Sequence, residues 1–452
     1  MRSSPKLFLV DIILINIVAI VGLRWISNAA KAGWSSIFFW ISATLCFFIP
    51  QGIAVTRLSQ HLPKEGGIYK WTQSVLGNWH GFLCGWCYWM DNLIYYPSLL
   101  VFTSTSALFL ISKDAEENNK LMIIIISLLI LWGITFLNIW GIEKSKYLSH
   151  LGTLGTWLPI AILFSLASIK VLHSGINIPA KEFIPQFKGI EDLQFFATLC
   201  FALAGFELAP IMGEEIDQIS TSLPKAIIFS GIAIALIYIT GTASLLLALP
   251  STEISIITGP IQAISELSKN KFFLPFLAIL GIVLGGIGGL NIWLGATARL
   301  PMVLGIDKYL PHYFAKLHKK WDTPYIALLF QSGVASFFLI LSTLGSTLLE
   351  AYYYLLDMTI IIYFIPYLYM FASFLKLNIK QTGEKLLGFL GFVITLSAIV
   401  LSFSPPTQST NITLYLWKLT GGCILFILPA WLIFKFYPLL YEKEVGKARK
   451  CR

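Results

Sequence analysis

Stretches of about 20 apolar residues recur from one end of the chain to the other, with no long polar block between them. A helix of that length matches the thickness of a bilayer core. Backbone in lipid must satisfy its own hydrogen bonds, so the pattern leaves a bundle of membrane helices as the fold. Of the 452 residues, 56% are hydrophobic and 12% charged, whereas soluble domains carry roughly 25% charged residues. The unbroken apolar rhythm predicts one all-α polytopic domain rather than a string of soluble ones.

Apolar runs bounded by polar, Gly or Pro residues predict twelve spans, at 8–26, 36–58, 81–111, 121–139, 149–171, 193–212, 225–248, 273–297, 324–343, 349–376, 386–402 and 412–436. The opening MRSSPKLFLVDIILINIV is basic and then apolar, but no small-residue cleavage site follows, so it reads as a first helix that stays. An even number of spans puts both termini on one side. That side receives 22 of the 32 Lys and Arg residues, which predicts cytoplasmic termini in a plasma (inner) membrane. Residues 437–452 then form a basic cytoplasmic tail beside the lipid surface.

The net charge of +9 therefore reports orientation, and no nucleic acid partner is expected. Cys84 and Cys87 form a CxxC without a second pair, and the six cysteines read as buried free thiols. The six histidines sit mostly in loops or at helix ends, and no DxxxD or HExxH pattern accompanies them. Neither a metal, a cofactor nor an enzymatic activity is expected.

Gly22 interrupts the first span and Gly205 the sixth, in CFALAGFELAP, so the two breaks lie five spans apart. Matched breaks of this kind point to an inverted-repeat transporter with a midplane site, because unwinding frees backbone groups that lipid cannot satisfy. In the eighth span, Gly281, Gly285 and Gly289 recur every four residues and predict close approach of another helix.

Ionisable residues inside spans are expensive and read as functional. Glu207 lies two residues after the second break and suits a proton carrier. Asp91 and Asn92 interrupt the aromatic third span GWCYWMDNLIYYPSLL, where Asn92 offers both a donor and an acceptor. In the tenth span Asp357 lies about a turn from Tyr353 and Tyr354, tyrosines that also fit an interface belt. Phe201 stands where it could lid a pocket. Arg24, in IVAIVGLRWIS, stands two residues past the first break. It either snorkels to the outer interface or faces the bundle, pairing there with Glu207, Asp91, Asp357 or a substrate carboxylate. Its nearness to the break favours the bundle.

The segments PKEGGIYKWTQSVLGNWHGFLCGWCYW (63–89), GFELAPIMGEEI with SLPKAI, and ARLPMVLGIDKYLPHYFAKLHKKWDTP (298–324) resemble the amino acid, polyamine and organocation transporters. The resemblance implies a five-plus-five inverted repeat, with residues 1–171 and 193–376 as its halves and 386–436 as two additional helices. It also implies alternating access and amino acids or related amines as substrates. Carried over by position, amides around Val21, Gly22 and Leu23 would bind a substrate carboxylate. Carbonyls of Cys200, Ala202, Ala204 and Gly205 would take its amine. Phe201 would gate the pocket, Asn92, Leu290 and Asn291 would face it, and Glu207 would serve proton response; from the residues themselves, Tyr354 is a further gate candidate and Asp91 and Asp357 are further proton-coupling candidates.

The chain reads VGLRW where many members carry a GSG-type turn. It lacks the helix 8 hydroxyls of sodium-coupled relatives before Thr297, and offers Thr156 in the region where proton-coupled ones can carry a lysine. These departures point to exchange or to proton symport through Glu207, without sodium. An organic-amine or polyamine permease and an amino acid sensor with the transporter fold are the alternatives. A homodimer is compatible with the sequence, which does not fix the oligomeric state.

Overall fold

The computed structural model describes residues 6–109, 120–175, 178–187, 189–256, 258–268, 272–343, 348–377, 381–404 and 412–450. Its helices, in chain order, are α1 (Leu9–Ile20), α2 (Leu23–Lys31), α3 (Ser35–Ala43), α4 (Ile49–His61), α5 (Gly67–Leu76), α6 (Asn78–Leu108), α7 (Lys120–Ile139), α8 (Ile142–Ser174), α9 (Ile190–Ala202), α10 (Leu208–Ile211), α11 (Ile219–Ala248), α12 (Gly259–Leu267), α13 (Phe273–Thr297), α14 (Arg299–Ile306), α15 (Tyr325–Thr343), α16 (Leu348–Lys376), α17 (Thr382–Ser402) and α18 (Ile412–Lys450). A π-helical turn at Thr44–Phe48 joins α3 to α4.

Each predicted span overlaps at least one helix among the described residues. Among the described residues eight helical stretches are long and apolar enough to cross a membrane, and α1 with α2 forms a further span bent by 43°. The only isolated β-bridge among them pairs Leu7 with Ile216.

Three short helices, α5, α12 and α14, stand in segments the sequence reads as loops. Each is under the length at which an apolar run signals a span, so hydropathy passes over it. Packing holds them in place. Gly67 of α5 lies so near α10 that a Cβ there would be 2.9 Å from the Ile211 backbone nitrogen, and α12 buries Ile261, Ala263 and Ile264. The last helix also runs past the expected end of its span at 436, to Lys450.

The small-residue stripe of α13 brings it against α8. A Cβ on Gly281 would lie 2.8 Å from the Gly155 carbonyl oxygen, and one on Gly285 2.8 Å from Thr156 Oγ1. The closest approach is Gly288, whose Cβ would meet Gly152 Cα at 2.5 Å, while Gly289 faces the α1 backbone at the Val18 carbonyl. Because both sides of the Gly288 contact are backbone, neither can turn aside. Gly288→Val is therefore expected to destabilise the protein by about 1–3 kcal/mol or more through overpacking. Loss of monodisperse protein on heating, at a temperature the wild type survives, checks it.

Candidate functional site

The two helix breaks meet in the core. α1 stops at Ile20 and α2 starts at Leu23; α9 stops at Ala202 and α10 starts at Leu208. Gly205, at φ +144°, lies so close to Ile20 that a Cβ there would be 2.7 Å from Ile20 Cγ1. Unwound backbone at this depth must find partners, and two tyrosines supply several. The hydroxyl of Tyr238 on α11 accepts the Gly22 N–H at 3.1 Å and lies 2.7 Å from the Ile20 carbonyl oxygen and 3.1 Å from that of Ala202, either of which can take its proton. The hydroxyl of Tyr367 on α16 accepts the Gly205 N–H at 2.8 Å. The Cys200 and Phe201 carbonyls accept the Leu203 and Ala204 amides within the chain.

Glu207, fully buried, stands beside the second break inside a set of donors. Its Oε1 accepts Tyr88 at 2.8 Å and Tyr363 at 2.6 Å; its Oε2 accepts Gln51 Nε2 at 3.1 Å and the Tyr367 hydroxyl. Gln51 also donates to the Tyr367 hydroxyl at 2.7 Å. These partners come from α4, α6 and α16, so one carboxylate ties three helices to the break. All four direct partners can donate to it. Asp357 is placed differently: it accepts the Tyr415 hydroxyl of α18. The side chain of Tyr354 lies outside the described residues.

Two adjoining cavities lie beside the breaks and share Ala19, Tyr95 and Trp293 as walls. The first is lined by Val21, Gly22, Leu23, Arg24 and Thr156. The second is lined by Asp91, Asn92, Phe201, Ala202, Ala204 and Tyr363. Phe201 packs edge-on against Trp25, with ring centroids 5.7 Å apart, and against Tyr363 at 5.4 Å, so it bridges α2 and α16 over the second cavity.

Arg24 is 4% exposed and faces this interior, which decides between snorkelling and the bundle. Its guanidinium donates to Ser98 Oγ at 2.8 Å and stacks with Trp25 and Tyr95, at 4.8 and 5.0 Å from their centroids. It forms no ion pair with Glu207, Asp91 or Asp357, the partners the sequence suggested.

Leu290 and Asn291 fall outside both cavities. Asn291 instead knots α13 to α7 and α8, accepting from Asn138 at 2.9 Å and Ser145 at 3.0 Å and donating to Ser149 at 2.8 Å. The α13 side chain that does reach both cavities is Trp293, whose indole donates to the Ala19 carbonyl at 2.9 Å. Cys200 is buried beside the break and lines neither cavity. Tyr238, Tyr363, Tyr367 and Trp293 escape a sequence reading, because an aromatic in a span signals packing or an interface belt unless its partner is known.

At the end of the bundle that carries Leu7, charged side chains fasten the helices together. Arg299 grips Glu215 through two contacts, at 2.5 and 2.7 Å, and lies 4.0 Å from Glu65. Lys70 pairs with Asp307 at 2.5 Å and Lys6 with Asp217 at 2.9 Å. Burial pushes the Glu65 carboxyl up to about 7; Arg299 opposes this, while Glu214 and Glu215 add to it. A carboxyl raised from 4.5 binds more protons in this closed arrangement than when released, so the arrangement loses stability as pH rises from about 4.5 towards 7. Thermal unfolding of purified protein should thus shift to lower temperature over that interval. Glu65→Gln should flatten the trend, and an unchanged slope would remove Glu65 as its source.

A family model described as amino acid permease matches residues 7–428. The chain is 29% identical to an uncharacterised transporter of Legionella pneumophila, over 96% of this chain and 97% of that protein. It is 23% identical to a glutamate/gamma-aminobutyrate antiporter of Lactococcus lactis, over 82% of this chain and 78% of the other. A probable agmatine/putrescine antiporter of the same species is 21% identical, over 83% and 80%.

Proposed function

We propose, from the premise that this chain belongs to the amino acid permease family, that it moves amino acids across a membrane by alternating access, through exchange or proton symport and without sodium. The observation that carries this reading is the junction of the two helix breaks, where Arg24, Asp91 and Asn92 line cavities against Trp293 and Phe201. The five-span interval between the breaks supports a five-plus-five inverted repeat followed by two further helices. Glu207 is the proton-coupling group in this reading, since its donors run from the second break to α4, α6 and α16. Phe201 serves as a gate, and the ion pairs around Arg299 close the opposite path. The excess of Lys and Arg on one side supports cytoplasmic termini in the plasma membrane.

An organic-amine permease is the second reading, favoured by the buried Asp91 carboxylate in the second cavity. The test is uptake by proteoliposomes against a panel of radiolabelled amino acids, arginine and putrescine. Internal amino acid and a pH gradient are varied, and choline replaces sodium. Uptake of an amino acid, accelerated by internal amino acid or by external acid and indifferent to sodium, is the expected result. Preference for putrescine would favour the amine permease, and saturable binding without flux a sensor.

A further inference from the structure

Arg24 carries a guanidinium and Asp91 a carboxyl, 4% and 2% exposed, and neither has an ionic partner among the described residues. A buried ionisable group without a partner is costly to hold charged in a poorly polarisable interior. Here an arginine and an aspartate of this kind line adjoining cavities that share the Tyr95 and Trp293 walls, so a ligand bearing both opposite charges would supply what each lacks. Asp91 Oδ1 and Asn92 Oδ1 are both buried without a hydrogen-bond donor. The second cavity thus offers two acceptors in want of donors, and the first a guanidinium whose described hydrogen bond to a side chain goes to a neutral hydroxyl.

Several of the backbone groups that could do the same work are engaged. The Gly22 amide is bound by Tyr238, whose hydroxyl also stands against the Ile20 and Ala202 carbonyls. Spacing along α6 agrees with a small dipolar ligand. Arg24 bonds Ser98, seven residues beyond Asp91, or about 10 Å along a helix. Two charge-assisted contacts of about 2.8 Å each occupy just over half of that. The remainder suits an ammonium and a carboxylate borne on the same or neighbouring carbons.

We propose that Arg24 and Asp91 are specificity-determining residues that hold a zwitterionic amino acid by its two charges, with Arg24 on the carboxylate and Asp91, assisted by Asn92, on the ammonium. This rests on the transport reading above and gives Asp91 a substrate-binding role in place of proton coupling. A bare amine leaves the guanidinium uncompensated and a bare acid leaves the carboxylate so. Both are therefore rejected, although each carries half of the recognised groups.

The test uses the full-length protein in proteoliposomes and three matched sets of competitors: alanine, ethylamine and propionate; leucine, isopentylamine and 4-methylpentanoate; phenylalanine, phenethylamine and 3-phenylpropanoate. In the wild type the amino acid of the transported set should compete on the order of 100-fold better than its amine or acid, the scale of one unpaired buried charge. Arg24→Gln should erase the advantage over the amine while keeping that over the acid, and Asp91→Asn should do the reverse. If either variant fails to give monodisperse protein, Arg24→Lys and Asp91→Glu take its place; these keep the charge, so KM rises while the preference for the zwitterion survives. Loss of that preference in the charge-retaining variants, or an unchanged preference in Arg24→Gln and Asp91→Asn, overturns the inference and leaves transport itself standing. Absence of uptake of every amino acid by the wild type instead defeats the transport reading.

Discussion

Gly205→Val is expected to abolish uptake. The backbone of Gly205 is at φ +144°, a region closed to side chains with a branched β-carbon, and a Cβ there would lie 2.7 Å from Ile20 Cγ1 across the junction of the two breaks. Strain of about 1–3 kcal/mol from the dihedral alone adds to overpacking of about 1–3 kcal/mol. Relief requires the Gly205 amide to leave the Tyr367 hydroxyl, which also donates to Glu207. The disturbance therefore reaches the carboxylate as well as the cavity wall. Gly22 differs: its φ is −111°, and an added Cβ would first meet the Trp25 ring, at 2.7 Å. Gly22→Ala should reduce uptake by displacing the ring that lies under Arg24 and edge-on to Phe201 rather than by straining the chain. Uptake by Gly205→Val at the wild-type rate, with equal protein in the membrane, would show that the second break is not part of the transport path.

Glu207→Gln should slow transport at least tenfold and flatten its dependence on pH. Each carboxylate oxygen receives two donors, Tyr88 and Tyr363 on one and Gln51 and Tyr367 on the other. An amide keeps one acceptor and turns an NH₂ group towards two donors. Leaving a buried donor unsatisfied costs about 1–3 kcal/mol, so the cage must rearrange around the break it supports. Tyr363→Phe removes one donor and leaves the carboxyl, so it should lower the rate less and preserve the pH profile. Flux measured from pH 5 to 8 in all three proteins separates these outcomes. A Glu207→Gln profile superimposable on the wild type would take Glu207 out of the proton step.

The location of the bundle's interior was largely legible in the sequence; the detail of how its polar groups are satisfied was not. Gly22 and Gly205 announce breaks because helical spans tolerate unwinding only where the core can answer it. Glu207 stands out for the same reason, and Arg24 reads as bundle-facing from its distance to Gly22. Asn291 misleads. A lone amide in a span looks like a pocket residue, yet it bonds Asn138, Ser145 and Ser149, which come from segments more than 140 positions away in the chain. Tyr238 and Tyr367 mislead in the opposite direction. Nothing in their neighbourhoods distinguishes them from packing aromatics until α11 and α16 are laid against the breaks.

Local chain physics by itself determined that this protein is a helical membrane bundle, where its long spans run and where two of them part. Lipid imposes those features on each segment separately, through hydrophobic length and backbone hydrogen bonding. Tertiary structure alone decided which partner each buried polar group receives. Hydrogen bonds between helices act over about 3 Å and join residues with no proximity in sequence. Tyrosines therefore came to hold the breaks and Glu207, while Arg24 and Asp91 were left to face the cavities.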